Sequence, residues 1–524
     1  MREPVDWPTV DLLTHRASTT PEKTGLIDVQ TGTRWTFREY SHRVDRVAAG
    51  LADVAGGRIG VLMGTRPASA VVFFAAMRTG TTVVSLPASE TAAELASKVE
   101  RTDLETVVCE AETEQLALEL VDGPLYSVDE PTHERVRALA GTDEPAADDP
   151  TATGGKSAVT PTTLERDATQ LIMFTSGTSG EPKAVRLTVG NLVASATASS
   201  FRLGVLPDDR WLCCLPTYHM GGLAPVVRSV LYGTAVVIQR EFGPDATARV
   251  IDEYGITGVS LVPTMLTRLL DAGWSAPDSL RFVLLGGAPA TTELIDRCRE
   301  HEVPACPTYG MTETASQIAT ATPAEAAAHP GTVGQPLEFT DVSIVDDAGE
   351  PVEPGEAGEI VVAGPTVTPG YLDDERTAAA FDEHGLHTGD AGYRDDDGRL
   401  WVRGRRSDRI VTGGENVDPD EVADALRAHP SVADAAVVGL PDAEWGERVA
   451  ALVVPGDERP SPESLLDHCE GRLAGFKRPK TIGFAEDVPR TASGTVDREA
   501  VRDRLKRDGV DATDDDAADA GEEI

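Results

Sequence analysis

Lysine is scarce in this chain. Of 47 basic residues only seven are lysine (Lys23, Lys98, Lys156, Lys183, Lys477, Lys480 and Lys506), against 87 acidic residues. The formal net charge of -40 would repel a polyanion, which excludes a nucleic-acid partner and binding to an anionic membrane surface. Long apolar runs are also missing: no stretch approaches the roughly 18 apolar residues of a membrane span, so stable membrane insertion is not expected. The N-terminal segment MREPVDWPTVDLLTHRA carries acid and proline where a signal peptide needs an apolar run, and a cytoplasmic location is expected. Six cysteines (Cys109, Cys213, Cys214, Cys298, Cys306, Cys469) form no C-x-x-C pair and no metal-ligand spacing. In a chain of this size they are expected to be buried, reduced thiols.

The acid is spread along the chain instead of gathering in one tail, and that dilute, lysine-poor composition resembles proteins of salt-loving archaea. At about 1 M salt the screening length falls to about 3 Å and self-repulsion is largely removed. A length of 524 residues exceeds one ordinary core and suggests about three domains. Runs such as Ile59-Gly60-Val61-Leu62-Met63, a helix-like stretch over 68–78, and Thr82-Val83-Val84-Ser85 alternate in the manner of α/β layering. Residues 141–163 shift to Ala, Asp, Thr, Gly and Pro and read as a surface excursion. The α/β pattern resumes over 171–402, with a strand-rich portion at 331–390 that would form a small barrel or sheet. The expected division is a large unit over 1–403, a hinge at 404–408, a small unit over 409–507 and an acidic disordered tail over 508–524.

What the sequence does contain is a hydroxyl-lined glycine turn closed by a lysine: Thr175-Ser176-Gly177-Thr178-Ser179-Gly180-Glu181-Pro182-Lys183. Gly177 and Gly180 permit positive φ and leave amides uncovered, so successive N–H groups can converge on an anion. The apolar run Leu171-Ile172-Met173-Phe174 precedes it and Ala184-Val185-Arg186-Leu187 follows, so the turn reads as a hairpin tip. Its spacing departs from G-x-x-x-x-G-K-[ST], since Glu181-Pro182 separates Gly180 from Lys183.

Further motifs follow in order. Leu215-Pro216-Thr217-Tyr218-His219-Met220-Gly221-Gly222-Leu223 sets an imidazole between an aromatic ring and two glycines. Leu284-Leu285-Gly286-Gly287-Ala288-Pro289 reads as a strand ending in small residues, and Tyr309-Gly310-Met311-Thr312-Glu313-Thr314 is long and specific. Thr388-Gly389-Asp390 places a carboxylate at a tight turn. Gly404-Arg405-Arg406-Ser407-Asp408 and Val411-Thr412-Gly413-Gly414-Glu415-Asn416-Val417 come last.

In this order the motifs resemble those of the acyl-adenylate-forming superfamily, on its acyl-CoA ligase branch, from about residue 11 to residue 498. The resemblance implies an α/β fold: a large N-terminal domain of layered sheets and helices with a distorted β-barrel, hinged to a small α+β lid. It implies ATP, Mg²⁺ and coenzyme A as reactants and a small-molecule carboxylate as substrate. By the same resemblance, Thr175, Ser176, Gly177, Thr178, Ser179, Gly180 and Lys183 would cradle phosphate. Gly287, Ala288, Pro289, Tyr309, Gly310 and Met311 would form the adenine slot, and Thr312 would reach the α-phosphate. Glu313 and Thr178 would hold the metal, and His219 would orient the acyl group. Asp390 and Arg405 would take the ribose, and Gly413 and Gly414 would line the thiol tunnel. Ser407 matches the pivot, where most members carry Asp or Lys.

One departure stands out. The terminal turn Pro489-Arg490-Thr491-Ala492-Ser493-Gly494-Thr495 carries threonine where the superfamily places a lysine between carboxylate and α-phosphate. Removing one such donor costs roughly 100- to 1,000-fold in rate. Arg490, Arg498, Lys477 and Lys480 are the candidate substitutes. Within the branch, Gly310 to Gln317 and Gly404 to Asp408 look most like 2-succinylbenzoate-CoA ligases of menaquinone biosynthesis, with Arg202, Arg228 or Ser316 as candidates to face a second carboxylate. Medium-chain fatty or aryl acid-CoA ligases stay open. So does a thioesterification-only or non-catalytic nucleotide-binding homologue, because of Thr495.

Overall fold

The computed structural model describes residues 10–139, 159–175, 182–413, 415–443, 445–456, 458–470, 472–491 and 495–511. The chain divides into two compact units: Met1–Val342 with Val362–Leu386, and Ser343–Val361 with His387–Ile524. The hinge expected at 404–408 falls inside the second unit, and the tail expected over 508–524 lies outside the described residues from 512 onward.

Two sheets organise the first unit. One has seven strands in the order Val136–Ala138, Leu125–Ser127, Val107–Cys109, Arg58–Leu62, Thr82–Leu86, Thr169–Thr175 and Lys183–Thr188. All neighbours run parallel except the last pair. The other has nine strands, of which Thr24–Asp28, Ala235–Ile238, Arg210–Cys213, Gly258–Leu261, Phe282–Leu285 and Ala305–Tyr309 are mutually parallel neighbours. Ala235–Ile238 and Phe282–Leu285 are buried at every position. Such continuous apolar runs suit strands covered on both faces by helices. The helix Pro67–Arg78 is likewise buried throughout, with proline in its first turn where a missing N–H does no harm.

In the second unit, Gly446–Pro455 is flanked by the long antiparallel strand Val432–Asp442 and by the parallel Thr481–Phe484. Helices Pro419–Arg427 and Pro462–Cys469 supply Val422, Leu426, Leu465 and Cys469 to its core. The strand-rich portion forms a separate sheet in which Asp341–Val345, Gly358–Ala363, Gly385–Arg394 and Leu400–Arg405 stand side by side. All six cysteines are free and buried, and burial pushes the Cys109, Cys214 and Cys306 thiols up to about 12, which leaves them inert near neutral pH. Among the described residues no helix is long and apolar enough to cross a membrane.

Candidate active site

The glycine turn is a hairpin tip, as its flanking runs predict. Thr169–Thr175 pairs antiparallel with Lys183–Thr188, and the rung nearest the tip joins Thr175 to Lys183. Ser176, Gly177, Thr178, Ser179 and Gly180 lie outside the described residues. From that rung the Lys183 ammonium extends over the ring of Tyr371, 5.1 Å from its centroid. The Tyr371 hydroxyl donates to Glu313 Oε1 at 3.1 Å. Glu313 and Tyr371 are only 4% and 2% exposed, so this hydroxyl–carboxylate contact is made out of reach of bulk water.

The backbone holds this row together. Leu372 N donates to Ala184 O at 2.9 Å, Arg186 N to Gly370 O at 3.1 Å, and Thr368 N to Glu313 O at 2.7 Å. Val185 and Tyr371 form an antiparallel bridge. Sequence reasoning passed over Tyr371. Its signal was Gly370, held at φ 134 where a Cβ would fall 2.3 Å from Thr377 Cγ2, directly before an aromatic residue.

The other predicted residues of this unit follow from strand direction. Arg210–Cys213, Phe282–Leu285 and Ala305–Tyr309 run parallel, so the segments after them leave at one edge of the sheet, the carboxyl edge where open α/β sheets bind ligands. There lie His219, then Gly287, Ala288 and Pro289, then Tyr309, Gly310, Met311, Thr312 and Glu313. Gly287 uses its freedom at φ 80. Thr312–Thr314 forms a short 3₁₀ turn, followed by Ala315 and Ser316 at φ 50 and 127. Gly310 permits this reversal, since a Cβ there would lie 1.7 Å from the Ser316 carbonyl.

His219 caps the helix Met220–Tyr232, and its carbonyl accepts from Gly222 N and Leu223 N at 3.1 and 3.0 Å. A Cβ on Gly222 would lie 2.3 Å from the Pro216 carbonyl oxygen, so this glycine answers to the turn's own backbone. Burial, followed by the positive charge of Lys98, holds the His219 imidazole below its ordinary pKa and favours the neutral ring. Nine residues on, Arg228 is 1% exposed, and its Nε and Nη2 have no hydrogen-bond partner among the described residues. Its guanidinium carbon sits 5.3 Å from the Trp211 ring, and burial lowers its pKa. Arg202 differs: it donates to Thr320 O at 2.7 Å and pairs with Glu325.

The second unit contains the remaining predicted residues. Asp390 and Arg405 face each other across paired strands, with Arg405 Nε 2.8 Å from Asp390 Oδ1. Asp390 is buried and its N–H donates to Thr388 Oγ1 at 3.1 Å. Gly413 sits at φ 59 with its N–H donated to Trp445 O at 2.8 Å; Gly414 lies outside the described residues. The Thr495 hydroxyl is 2.7 Å from that of Thr491, and three of the candidate cations are engaged by carboxylates: Arg490 with Asp434 at 2.7 Å, Arg498 with Asp420 at 3.1 Å, Lys477 with Glu421 at 2.7 Å. Lys480 instead lies over the Trp445 ring, 3.8 Å from its centroid.

Comparison with known proteins matches the model of the AMP-binding enzyme family to residues 13–372 and that of the AMP-binding enzyme C-terminal domain to residues 421–495. The chain is 37% identical over 496 residues to the 2-succinylbenzoate–CoA ligase of Bacillus pumilus strain SAFR-032, covering 94% of this chain and 97% of that one. It resembles o-succinylbenzoate CoA synthetase (MenE) of Bacillus subtilis in complex with the acyl-adenylate intermediate OSB-AMP, with a TM-score of 0.84, 33% identity, and 96% and 99% of the two chains covered. The same synthetase in complex with ATP and magnesium ion aligns with a TM-score of 0.83 and 34% identity, over 95% and 99% of the chains.

Proposed function

This chain belongs to the AMP-binding enzyme family, and we propose that it couples 2-succinylbenzoate to coenzyme A through an acyl-AMP intermediate, a step of menaquinone biosynthesis. The observation that carries the choice of acyl group is Arg228: a fully buried guanidinium with two nitrogens unpartnered among the described residues, on the helix that His219 opens. An uncompensated buried charge is unfavourable unless a partner arrives. A dicarboxylate brings that partner, since one carboxylate can react while the other meets the guanidinium.

In this reading Lys183, Thr175 and the turn between them hold the departing pyrophosphate. Tyr309 stacks on adenine beside Gly287, Ala288 and Pro289, with Gly310 and Met311 completing the slot. Thr312 meets the α-phosphate, and His219 orients the carboxylate that attacks it in line. Asp390 and Arg405 take the ribose hydroxyls, and Gly413 and Gly414 border the path of the thiol. The boundaries at 404–408 and Ser407 as pivot belong to the same proposal.

The donor set fits a magnesium ion. Glu313 is a buried oxygen donor, and no group of three or more metal-ligating side chains exists among the described residues, which suits an ion held by one carboxylate, Thr178 and nucleotide phosphates. Bound there, Mg²⁺ neutralises charge on the triphosphate and on the leaving pyrophosphate.

A second reading, thioesterification of a supplied acyl-AMP, draws support from Thr495 together with the ion pairs that occupy Arg490, Arg498 and Lys477. The test is an assay in high salt with ATP, Mg²⁺, coenzyme A and a carboxylate panel. AMP release dependent on 2-succinylbenzoate is the expected result; use of medium-chain or mono-carboxylate aryl acids in its place would refute the assignment. Consumption of acyl-AMP without ATP turnover would favour the second reading. The -40 charge supports a salt-adapted cytoplasmic enzyme with no nucleic-acid partner, and full activity with unchanged melting in salt-free buffer would contradict salt adaptation.

A further inference from the structure

The helix Ala92–Arg101 holds none of the residues that the motifs single out, yet its last turn, with Lys98 and Arg101, meets the stem of the phosphate hairpin. Lys98 is 4% exposed and its ammonium is paired with Glu90. It lies 5.3 Å from the centroid of the Phe174 ring, and the Arg101 guanidinium carbon lies 5.9 Å from the same ring. Arg101 Nη1 also donates to the Pro182 carbonyl. Phe174 is the neighbour of Thr175 in sequence, and Pro182 is the neighbour of Lys183. One helical turn therefore grips both arms of the hairpin at the rung from which Lys183 projects.

Lys183–Thr188 is the last named strand of its sheet, and the backbone contacts on its other edge, from Gly370, Tyr371 and Leu372, reach Ala184, Val185 and Arg186 and stop short of the Thr175–Lys183 rung. A charged donor on the Pro182 carbonyl and two cations close to the Phe174 ring fix the arms from a second direction. The chain that leads into this helix meets the histidine turn, where Ser85 Oγ donates to Tyr218 O at 3.1 Å and Ser89 Oγ lies 3.4 Å from the Tyr218 hydroxyl.

We propose that the last turn of Ala92–Arg101 is a positioning element for nucleotide binding, in which Arg101 sets the Thr175–Lys183 rung through the Pro182 carbonyl and the Phe174 ring. This rests on reading the chain as an ATP-dependent ligase. Losing Arg101 removes the donor to the Pro182 carbonyl and the guanidinium beside Phe174, so the penalty falls on ATP affinity and spares the carboxylate site and the fold.

The experiment measures ATP–Mg²⁺ affinity from ligand-induced thermal shifts, without carboxylate, for the wild-type chain, Arg101→Ala, Arg101→Lys and Phe174→Leu. Loss of a charged hydrogen bond predicts about tenfold weaker ATP binding in Arg101→Ala. Partial recovery is expected in Arg101→Lys, which can donate to Pro182 but has no planar face for the ring. The KM for the carboxylate should stay within about twofold and the unliganded Tm within about 1 °C. Wild-type ATP affinity in Arg101→Ala overturns the inference, as does an equal fall in ATP affinity, carboxylate KM and unliganded stability. If Arg101→Ala does not fold, Phe174→Leu, which keeps both charges and removes the ring, must show the same selective loss; unchanged ATP affinity there overturns the inference. A wild-type chain that does not bind ATP–Mg²⁺ would overturn the ligase reading and this inference together, whereas normal binding by wild type and variants alike overturns the inference alone.

Discussion

The Tyr371 hydroxyl donates to Glu313 Oε1 at 3.1 Å while the face of the same ring lies under the Lys183 ammonium. One phenol ring thus spaces the positive group of the phosphate hairpin from the negative group assigned to the metal. Replacing Tyr371 by Phe keeps the ring under Lys183 and removes the donor to a buried carboxylate. The expected outcome is about a tenfold weaker Mg²⁺ dependence of ATP binding, with the Lys183 contact intact. Magnesium titrations of pyrophosphate release check it, and an unchanged titration would separate Tyr371 from the metal site.

His219 gives a pH signature. Its folded pKa lies below the ordinary 6.5, through burial first and Lys98 second. Below pH 6.5 the unfolded chain therefore binds more protons than the folded one, so stability falls as pH drops through that window and is fully present above it. Melting curves from pH 7.5 to pH 5 should slope less steeply in His219→Gln than in the wild type. Parallel slopes would contradict the burial argument.

Asp418 behaves in the opposite sense. Burial, with Asp420 next to it, raises its carboxyl to about 6 from an ordinary 3.8. Between those two values the folded state holds the extra proton, so stability declines as pH rises and the loss is complete above about 6. Asp418→Asn keeps the cap on helix Pro419–Arg427, where the side chain accepts from Asp420 N. Calorimetry should show this variant melting a few degrees higher than wild type at pH 7 and level with it below pH 4, an increase of roughly 1 kcal/mol after allowance for solvent screening.

Thr495→Lys restores the ammonium that the terminal turn lacks. With Arg490, Arg498 and Lys477 engaged by carboxylates, pyrophosphate release should rise by roughly 100-fold. An unchanged rate measured by stopped flow would mean that another cation already fills the role.

Much of this was legible because local signals and tertiary context agreed. The runs around 59–63, 68–78 and 82–85 became Arg58–Leu62, Pro67–Arg78 and Thr82–Leu86, and the hairpin rung fell at Thr175 and Lys183 as the flanking runs predict. Asp390 and Arg405 were readable as separate motifs, while their ion pair required knowledge of strand register. Tyr371 and Arg101 were opaque for a related reason: each acts from a segment remote in sequence from the residues it touches. Gly222 was visible as a glycine, but its purpose, to clear the Pro216 carbonyl, is a distance no spacing rule encodes.

Gly310 has a bearing on redesign. Because the Ser316 carbonyl occupies the space a methyl group would need, the loop from Tyr309 to Ser316 is shut like a clasp, and the aromatic wall and the acid Glu313 travel on the same closed piece. Laboratory evolution toward other acids therefore has to look outside this loop. A single carbon added at Gly310 would displace the Tyr309 ring and the Glu313 carboxylate in one stroke.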